Sequence, residues 1–332
     1  MKISVTGVAG FLSSHLADRF LESGHEVFGV DSLIGGEIIN VPPATQFYQY
    51  DCCDRNSVAR VMKDCDVVYH CAATAYEGLS VFSPALVSRN IVDASVSVIS
   101  AAIENGVQAY RILFLHGPVR HEVPFREEYD PRPQDPYGIS KVAAEHMLRN
   151  LCEVHGVEYV IAVPHNIIGP RQKFDDPYRN VASIMINLML QDRQPIIYSD
   201  GEQKRCFSFV EDCLGCLVEM LDRPDVVGEV INIGPDEEFI TINHLYETIA
   251  DLTGYQGEPI YMPGRPQEVR LATCSANKAR KLLGYETKVD LRHGLQSMIQ
   301  YISAHGTRKF RYHLELEIVN ESTPQTWRDR LF

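Results

Sequence analysis

The stretch PYGISK places a tyrosine and a lysine four residues apart, directly after Pro136, where a helix is predicted to begin. Positions i and i+4 share one helix face, so the side chains of Tyr137 and Lys141 are expected to lie together. A neighbouring ammonium stabilises a phenolate and so lowers a tyrosine pKa that is ordinarily about 10. The pair could then act as a general base that removes a proton from an alcohol while hydride leaves the same carbon.

Hydride needs an acceptor, and a binding turn for one is indicated near the N-terminus. Gly7 permits a tight turn after a β-rich run, and Gly10 lets the backbone approach a pyrophosphate. The pyrophosphate would sit at the N-terminus of the helix that begins with Phe11 and Leu12. Asp31 ends the next extended run, where a carboxylate binds the adenosine ribose and repels a 2′-phosphate. This order favours NAD over NADP; the alternative is an ordinary turn with an incidental aspartate.

A second candidate for the adenosine end follows the stretch FYQY. The carboxylate of Asp51, which Cys52 follows directly, could bind the adenine amino group. Asp51 could equally be a loop residue or a helix cap with no role in binding. The sequence leaves both interpretations open.

Strands and helices alternate along the first half of the chain. Extended runs lie at 2–6, 26–31, 65–73, 111–115 and 158–165. Helical spacing separates them at 12–23, 55–63, 84–105 and 137–153. This alternation predicts an α/β fold, a doubly wound parallel sheet of the Rossmann type with right-handed crossovers. Beyond about residue 170 short extended pieces and the helices 178–191, 211–222 and 241–253 predict a smaller mixed lobe.

Composition narrows the class of protein. The net charge of −13 argues against nucleic acid or an anionic membrane as a partner. No apolar run reaches the roughly 18 residues of a membrane span, and the N-terminus does not fit a signal peptide. Nine scattered cysteines fit a reducing, cytoplasmic setting. Cys213 and Cys216 lie in a run with helical spacing, so we expect core residues there and no metal centre.

Several separate motifs occur together in one order. They are TGVAGFLSSH, GVDSL, VVYHCAA, Asn90, DPYGISKVAAEHML, VPHNIIGPRQ, GEQKRCFSFVEDC, INIG and PGRPQEV. With these motifs the chain resembles the extended short-chain dehydrogenases/reductases over roughly residues 1–300, specifically the NAD-dependent nucleotide-sugar epimerases and dehydratases such as UDP-glucose 4-epimerase. The resemblance implies an NAD-binding domain at 1–170, to which later segments return, a nucleotide-sugar-binding lobe at 171–306 and a C-terminal extension at 307–332.

The resemblance also implies roles for individual residues near the cofactor. Ala72 and Ala73 would line the cofactor groove, and Asn90 would lie near the nicotinamide and Tyr137. In the loop after the third predicted strand, Thr74, Tyr76 and Glu77 would contact the sugar; the alternative is an exposed loop.

Three further residues would hold the substrate's diphosphate. Asn166 resembles the family asparagine that binds this group, while Arg205 and Arg265 resemble the family's arginine clamp. A planar guanidinium binds two phosphate oxygens at once, which suits this task. The alternative for either arginine is a surface charge.

The chain departs from the family where its fourth predicted strand ends. The family has a Ser or Thr there that donates a hydrogen bond to the reacting oxygen, whereas this chain has L-H-G-P-V-R-H-E. One register places His116 at that position and another places Gly117 there. Either His116 replaces the hydroxyl, since imidazole can donate a hydrogen bond or relay a proton near neutral pH, or the site is impaired. The family's dehydratases and decarboxylases add an acid beside the Thr, and neither register supplies one.

The resemblance therefore favours a nucleotide-sugar epimerase, most of all a UDP-sugar 4-epimerase that forms a transient 4-keto sugar. The alternatives are a dehydratase, reductase or decarboxylase of nucleotide sugars, or a catalytically impaired protein that binds NAD and nucleotide sugar. The family commonly dimerises through a four-helix interface, which 84–105 and 137–153 would supply in a homodimer. The segment 307–332 is too apolar for a free tail, and we expect it to pack on its own lobe or on a partner.

Overall fold

The structure is a computed structural model that describes residues 1–113 and 123–332 of the chain. The strands are β1 (Lys2–Thr6), β2 (Glu26–Asp31), β3 (Gln46–Gln49), β4 (Val67–His70), β5 (Ala109–Leu113), β6 (Glu158–Pro164), β7 (Ile167–Ile168), β8 (Ile196–Tyr198), β9 (Lys204–Arg205), β10 (Ser208–Phe209), β11 (Val230–Ile233), β12 (Ile240–Thr241), β13 (Ile260–Met262) and β14 (Leu271–Ala272). The helices are α1 (Phe11–Glu22), α2 (Arg55–Val61), α3 (Glu77–Ser80), α4 (Pro84–Ser88), α5 (Ala94–Glu104), α6 (Pro136–His155), α7 (Val181–Met189), α8 (Val210–Glu219), α9 (Ile242–Thr253), α10 (Asn277–Leu283), α11 (Leu291–His305) and α12 (Gln325–Arg328).

The central sheet is parallel and follows the order β11-β6-β5-β4-β1-β2-β3. This confirms the predicted doubly wound α/β fold. The sequence pattern misses β3, because this edge strand is only half-buried and lacks a continuous apolar run. The strand order reverses between β1 and β4, and in such sheets a crevice opens at this point, beyond the carboxyl ends of the strands.

Two helical layers cover the sheet, and each buries an apolar stripe. On one face α1, α8 and α10 pack around Leu16, Phe20 and Leu217, with Cys213 and Cys216 buried among them as predicted. On the other face α2, α5 and α6 pack around a second cluster that includes Val98, Leu148 and the ring of Tyr137. The central sheet is thus enclosed between two helical layers.

The helices α4 and α5 join through a π-helical turn, Arg89–Asp93, into one long helix that ends at Asn105 and Gly106. By length and composition this helix, Pro84–Glu104, could cross a membrane. In the structure it packs against α2 and α6 as a core helix of the sheet layer. The π-helical turn includes Asn90 and faces the crevice, and such turns are frequent at functional sites.

The later half builds a lobe over the carboxyl end of the sheet. Its core joins α7, α9 and α11 through side chains that include Met185, Leu245 and Leu295. Short strand pairs, among them β9 with β12 and β14, bring the segments before and after this core back toward the crevice. β11 leaves the lobe and completes the central sheet.

The expectation that 307–332 packs on its own lobe or a partner is incomplete. The segment leaves α11, runs along α7 and then packs against α3 and α4 in the sheet-bearing half. The physical reason lies at the far end, where Tyr76, Leu79 and Phe82 form an apolar cluster that Trp327 completes. We call residues 307–332 the C-terminal strap.

Candidate active site

A cavity of about 520 Å³ lies between the carboxyl ends of the central strands and the C-terminal lobe. This volume suits a ligand of cofactor or substrate size. The sequence-predicted residues that line it are Gly7, Gly10, Phe11, Leu12, Asp31, Asp51, Cys52, Ala72, Ala73, Thr74, Glu77, Asn90, Tyr137, Lys141, Asn166, Arg205 and Arg265. Residues more than 250 positions apart in sequence therefore meet around one space.

The glycine turn after β1 has the backbone that a dinucleotide needs. Gly7 has a φ of +72°, and a Cβ on it would lie 2.9 Å from backbone atoms of Ala72. A Cβ on Gly10 would lie 2.9 Å from the carbonyl oxygen of Gly7. No side chain among the described residues caps α1, so its first-turn amides are available to an anion at this wall of the cavity.

The adenosine end of the cavity carries the two predicted acids. The Asp31 carboxylate accepts hydrogen bonds from the amides of Ala9 (3.0 Å) and Leu33 (2.7 Å), which aim it at the cavity. Burial raises the pKa of Asp31, and these two bonds oppose that shift. Asp51 accepts from the Cys53 amide (2.9 Å) and from Arg89 (2.8 Å). Burial raises the pKa of Asp51, but these bonds and the charge of Arg89 outweigh burial and leave the pKa below its ordinary value.

The glycine turn, the uncapped helix and the fixed Asp31 together fit NAD. Asp51 is not the helix cap, because the first turn of α2 is capped by Asp54 through the Ser57 amide. Asp51 lines the cavity, which favours the binding interpretation over the structural one.

Tyr137 and Lys141 lie together at the start of α6, as the spacing predicts. Asp135 caps this helix by accepting the Gly138 amide at 2.8 Å, which fixes the first turn. The Lys141 Nζ lies 5.6 Å from the centre of the Tyr137 ring. The Tyr137 hydroxyl is buried and has no hydrogen-bond partner among residues 1–113 and 123–332.

The sequence predicts that Lys141 lowers the pKa of Tyr137. In the structure other groups determine this pKa. Burial raises the pKa of Tyr137, and the charge of Glu77 adds to that, while Arg179 acts in the opposite direction. Burial lowers the pKa of Lys141 to about 7. The cation that opposes the raised tyrosine pKa is therefore Arg179, which no sequence motif marks.

The buried lysine predicts a dependence of stability on pH. Between pH 7 and the ordinary lysine pKa of 10.5, the unfolded chain binds a proton at Lys141 that the folded chain does not. The free energy of unfolding of the wild type should therefore rise, relative to Lys141→Met, by up to about 1.4 kcal/mol per pH unit. Urea unfolding of cofactor-free protein at stepped pH measures this. Lys281→Met, at an exposed lysine of α10, should show no such trend; a flat difference for Lys141→Met would contradict its burial.

The loop after β4 brings substrate-facing groups to the cavity. Thr74 accepts a hydrogen bond from the Asn90 side chain at 2.8 Å, and both residues line the cavity near Tyr137. The Glu77 side chain lines the cavity, where protein encloses it. Burial and Asp135 raise its pKa, and Arg205 acts in the opposite direction.

The prediction that Tyr76 contacts the sugar is not supported, because Tyr76 is absent from the cavity wall. Its ring is buried and its hydroxyl donates to the Asp176 carboxylate at 2.6 Å. Its neighbours Ala75 and Glu77 line the cavity, and the ring of Tyr76 packs beneath them. Tyr76 is a packing residue of the loop.

The predicted diphosphate clamp lies on the lobe side of the cavity. Arg205 donates to the carbonyl oxygens of Lys204 (2.8 Å) and Val269 (2.6 Å), which hold its guanidinium in place. Arg265 pairs with Glu268 at 2.9 Å, and its guanidinium carbon lies 4.7 Å from the centre of the Tyr198 ring. Burial lowers the pKa of Arg205, the charge of Arg265 adds to that shift, and both residues line the cavity. Two oriented guanidinium groups on one wall suit a polyanion.

Asn166 completes this wall in a backbone conformation that is rare for a residue other than glycine. Its φ is +40°, and its side-chain amide donates to the Cys206 carbonyl at 3.0 Å. The bond anchors the side chain on the loop that precedes β10, beside the clamp.

Sequence reasoning misses Arg179, Tyr198, Glu268 and Trp327, all of which line the cavity. Trp327 is the only tryptophan of the chain and Tyr198 lies in an extended run, but neither signal indicates a binding site. The predicted His116 lies outside the described residues, so its role opposite Tyr137 stays a prediction.

A doubly wound sheet, a glycine turn for a dinucleotide and a buried Tyr–Lys pair define an oxidoreductase-type site of the dehydrogenase/reductase class. The model of the NAD-dependent epimerase/dehydratase family matches residues 3–234. The chain belongs to this family, and its cofactor is NAD.

Several related proteins are similar in sequence to this chain over most of their own length. UDP-glucose 4-epimerase of Mycolicibacterium smegmatis is 29% identical over 91% of this chain and 98% of its own. UDP-glucuronic acid decarboxylase 1 of Xenopus tropicalis is 29% identical over 98% of this chain and 75% of its own. The crystal structure of UDP-glucose 4-epimerase of Thermotoga maritima with UDP-glucose is 31% identical and has a TM-score of 0.85. That comparison covers 92% of this chain and 99% of the other.

Proposed function

We propose that the chain interconverts UDP-sugars that differ in configuration at C4, through a transient 4-keto sugar. The observation that carries the proposal is that Tyr137, which lines the cavity, has a buried hydroxyl without a hydrogen-bond partner among the described residues. A buried hydroxyl left unpaired costs free energy, and at the wall of a cavity a bound ligand group would supply the missing hydrogen bond. The similarity to UDP-glucose 4-epimerases supports the sugar class.

Each wall of the cavity then has a task. NAD supplies the hydride acceptor and donor when it is bound. Arg205 and Arg265 hold the diphosphate, which orients the hexose toward the Tyr–Lys pair. The Tyr137 oxygen takes the proton from O4 as the C4–H bond breaks, and it returns that proton to the keto oxygen after the sugar has turned its other face. Lys141 lies beside the Tyr137 ring and orients the phenol, and Arg179 supplies the positive charge that favours its ionised form.

Arg179 favours a second candidate for the sugar, a hexuronic acid. It lines the cavity, lies 4.9 Å from the centre of the Tyr76 ring and acts on the pKa of Tyr137, so a cation stands near the reacting hydroxyl. A carboxylate on the sugar would pair with this guanidinium. The likeness to a UDP-glucuronic acid decarboxylase fits this candidate and makes decarboxylation the alternative reaction.

Product analysis tests the reaction. Purified protein incubated in D2O with UDP-glucose, UDP-galactose or UDP-glucuronic acid should give the C4 epimer of one of them at unchanged mass. No deuterium should appear on carbon, because only the exchangeable O4 proton passes through Tyr137. Loss of carbon dioxide would favour the decarboxylase, loss of water a dehydratase. Bound NAD without turnover on any of these sugars would favour a protein that only binds its ligands.

We further propose a cytoplasmic homodimer. The face of α6 away from the sheet exposes Ile139, Met147 and Val154, at helical spacing. An exposed apolar stripe of this kind is typical of a helix-bundle interface between subunits. The nine cysteines are all free, which fits a reducing compartment. Light scattering on the purified protein tests the dimer, and a monomer at micromolar concentration would contradict it.

A further inference from the structure

The C-terminal strap, residues 307–332, ties the two halves of the molecule together across the cavity. At its start the Arg308 carbonyl accepts the Asn187 side chain at 2.9 Å, on α7 of the lobe. At its middle the Glu315 carbonyl accepts the Ser83 hydroxyl at 2.9 Å, and the Glu317 carboxylate accepts the first-turn amides of α4 at 2.8 and 2.9 Å. The strap therefore fixes the substrate loop after β4 relative to the lobe that carries the arginine clamp.

Trp327 stands where the strap reaches the cavity. It is 4% exposed, lines the cavity, and its indole N–H donates to the Pro177 carbonyl at 2.9 Å. Its ring packs against Tyr178 and Phe82, with ring centres 5.6 and 6.0 Å apart. Contacts from both halves of the chain hold the indole rigidly, and a rigid aromatic wall is favourable for binding.

The indole also adjoins groups that the proposed function assigns to the substrate. A Cβ built on Gly78, the residue after Glu77, would lie 3.4 Å from Cη2 of Trp327 and 3.7 Å from Nη1 of Arg265. The loop, the clamp and the strap thus converge at Gly78. Both distances are ordinary van der Waals contacts, so the three elements are closely packed at this point.

The strap supports the clamp from a second side. The Thr326 hydroxyl is hydrogen-bonded to the hydroxyl of Tyr198, and Arg265 lies over the Tyr198 ring at 4.7 Å. Phe332 lines the cavity as well, and its amide donates to the Tyr312 hydroxyl at 3.1 Å. Trp327 and its neighbours therefore touch both the cavity and the residues that position Arg265.

We propose that the strap is part of the substrate site, with Trp327 as a binding residue that contacts the bound nucleotide-sugar beside the diphosphate clamp. The inference rests on the proposed function for the chemical class of the ligand. Binding of the UDP-sugar then depends on the strap, whereas binding of NAD, whose turn lies at the carboxyl end of β1, does not.

The single tryptophan makes this directly measurable. UDP titrated into the NAD-containing protein should change the Trp327 emission saturably, with the midpoint that calorimetry gives for UDP. Trp327→Ala should raise the KM for the UDP-sugar on the order of tenfold and Trp327→Phe less, because an aromatic contact contributes on the order of 1 kcal/mol. NAD content should stay unchanged in both. Val319→Ala, at an exposed residue of the same strap, is the matched control and should behave as wild type.

The outcomes of these measurements distinguish a failure of this inference from a failure of the proposed function. If UDP binds by calorimetry but leaves the Trp327 emission unchanged, Trp327 does not contact the ligand and the inference is wrong. An unchanged KM in a folded, NAD-containing Trp327→Ala variant would overturn it too. If UDP gives no binding heat at all, the proposed function fails instead. The emission measurement uses the wild type, so it decides even if Trp327→Ala does not fold.

Discussion

Replacing Tyr137 with Phe will lower kcat by about a thousandfold while leaving NAD content and UDP affinity close to wild type, since a positioned proton-transfer group contributes about 10²–10⁴ in rate. The substitution removes one oxygen and no packing, because the ring lies in the apolar cluster under α5 and α6. The lost oxygen belongs to a residue that lines the cavity, and it has no partner among the described residues. Rates with the best UDP-sugar, together with cofactor content, measure the effect.

Tyr110 offers a matched control for this substitution. It is a tyrosine in the same apolar cluster, it is fully buried, and its hydroxyl has no partner in the described part of the chain. Burial raises its pKa as it does for Tyr137. Tyr110 does not line the cavity, so Tyr110→Phe should keep full activity. If Tyr137→Phe retained near-wild-type turnover, the assignment of the general base would be wrong.

The sequence predicts the cofactor half well because its signals are local. A turn that needs Gly7, a carboxylate at the end of β2 and a tyrosine and lysine on one helix face are each fixed by a few neighbouring residues. Each of them lines the cavity in the structure. The strand and helix order then follows from periodicity, since alternating apolar runs of this kind have few other ways to pack.

The remaining features of the site depend on contacts that no local pattern encodes. Tyr76 and Glu77 are adjacent in sequence, yet only Glu77 faces the cavity, because Asp176 accepts the Tyr76 hydroxyl from another part of the chain. Arg179 and Trp327 reach the cavity through the lobe and the strap. The pKa of Tyr137 likewise follows from its burial and from Glu77 and Arg179, and the i, i+4 spacing with Lys141 does not determine it.

The structure also decides which of two neighbouring aspartates caps α2, a choice that the sequence leaves open. Asp51 and Asp54 lie three residues apart in one acidic stretch, and either could cap α2 by composition. The structure gives the cap to Asp54 and leaves Asp51 at the cavity with Arg89 as its partner. The distinction follows from where the helix begins, which single-sequence patterns fix only to within a few residues.

Replacing Arg265 with Ala will raise the KM for the UDP-sugar about a hundredfold and leave NAD content unchanged, since a hydrogen bond to a charged group contributes about 1.5–3 kcal/mol. The loss lies near the upper end of this range because Glu268, the ion-pair partner at 2.9 Å, would then face the diphosphate uncompensated. Arg265→Ala with Glu268→Gln should therefore recover part of the affinity, and Arg265→Lys should fall between, because an ammonium keeps the charge without the planar fork.

Arg270 supplies the matched control for the clamp. It lies five residues further along, pairs with Asp200 at 3.1 Å, and its side chain is 64% exposed, away from the cavity. Arg270→Ala removes an equal charge from the same chain segment, so any general electrostatic effect on an anionic ligand appears in it too. KM should change less than about twofold there, since exposed pairs contribute little. Equal losses in the two variants would show that Arg265 acts through net charge, and the clamp would have to be assigned elsewhere.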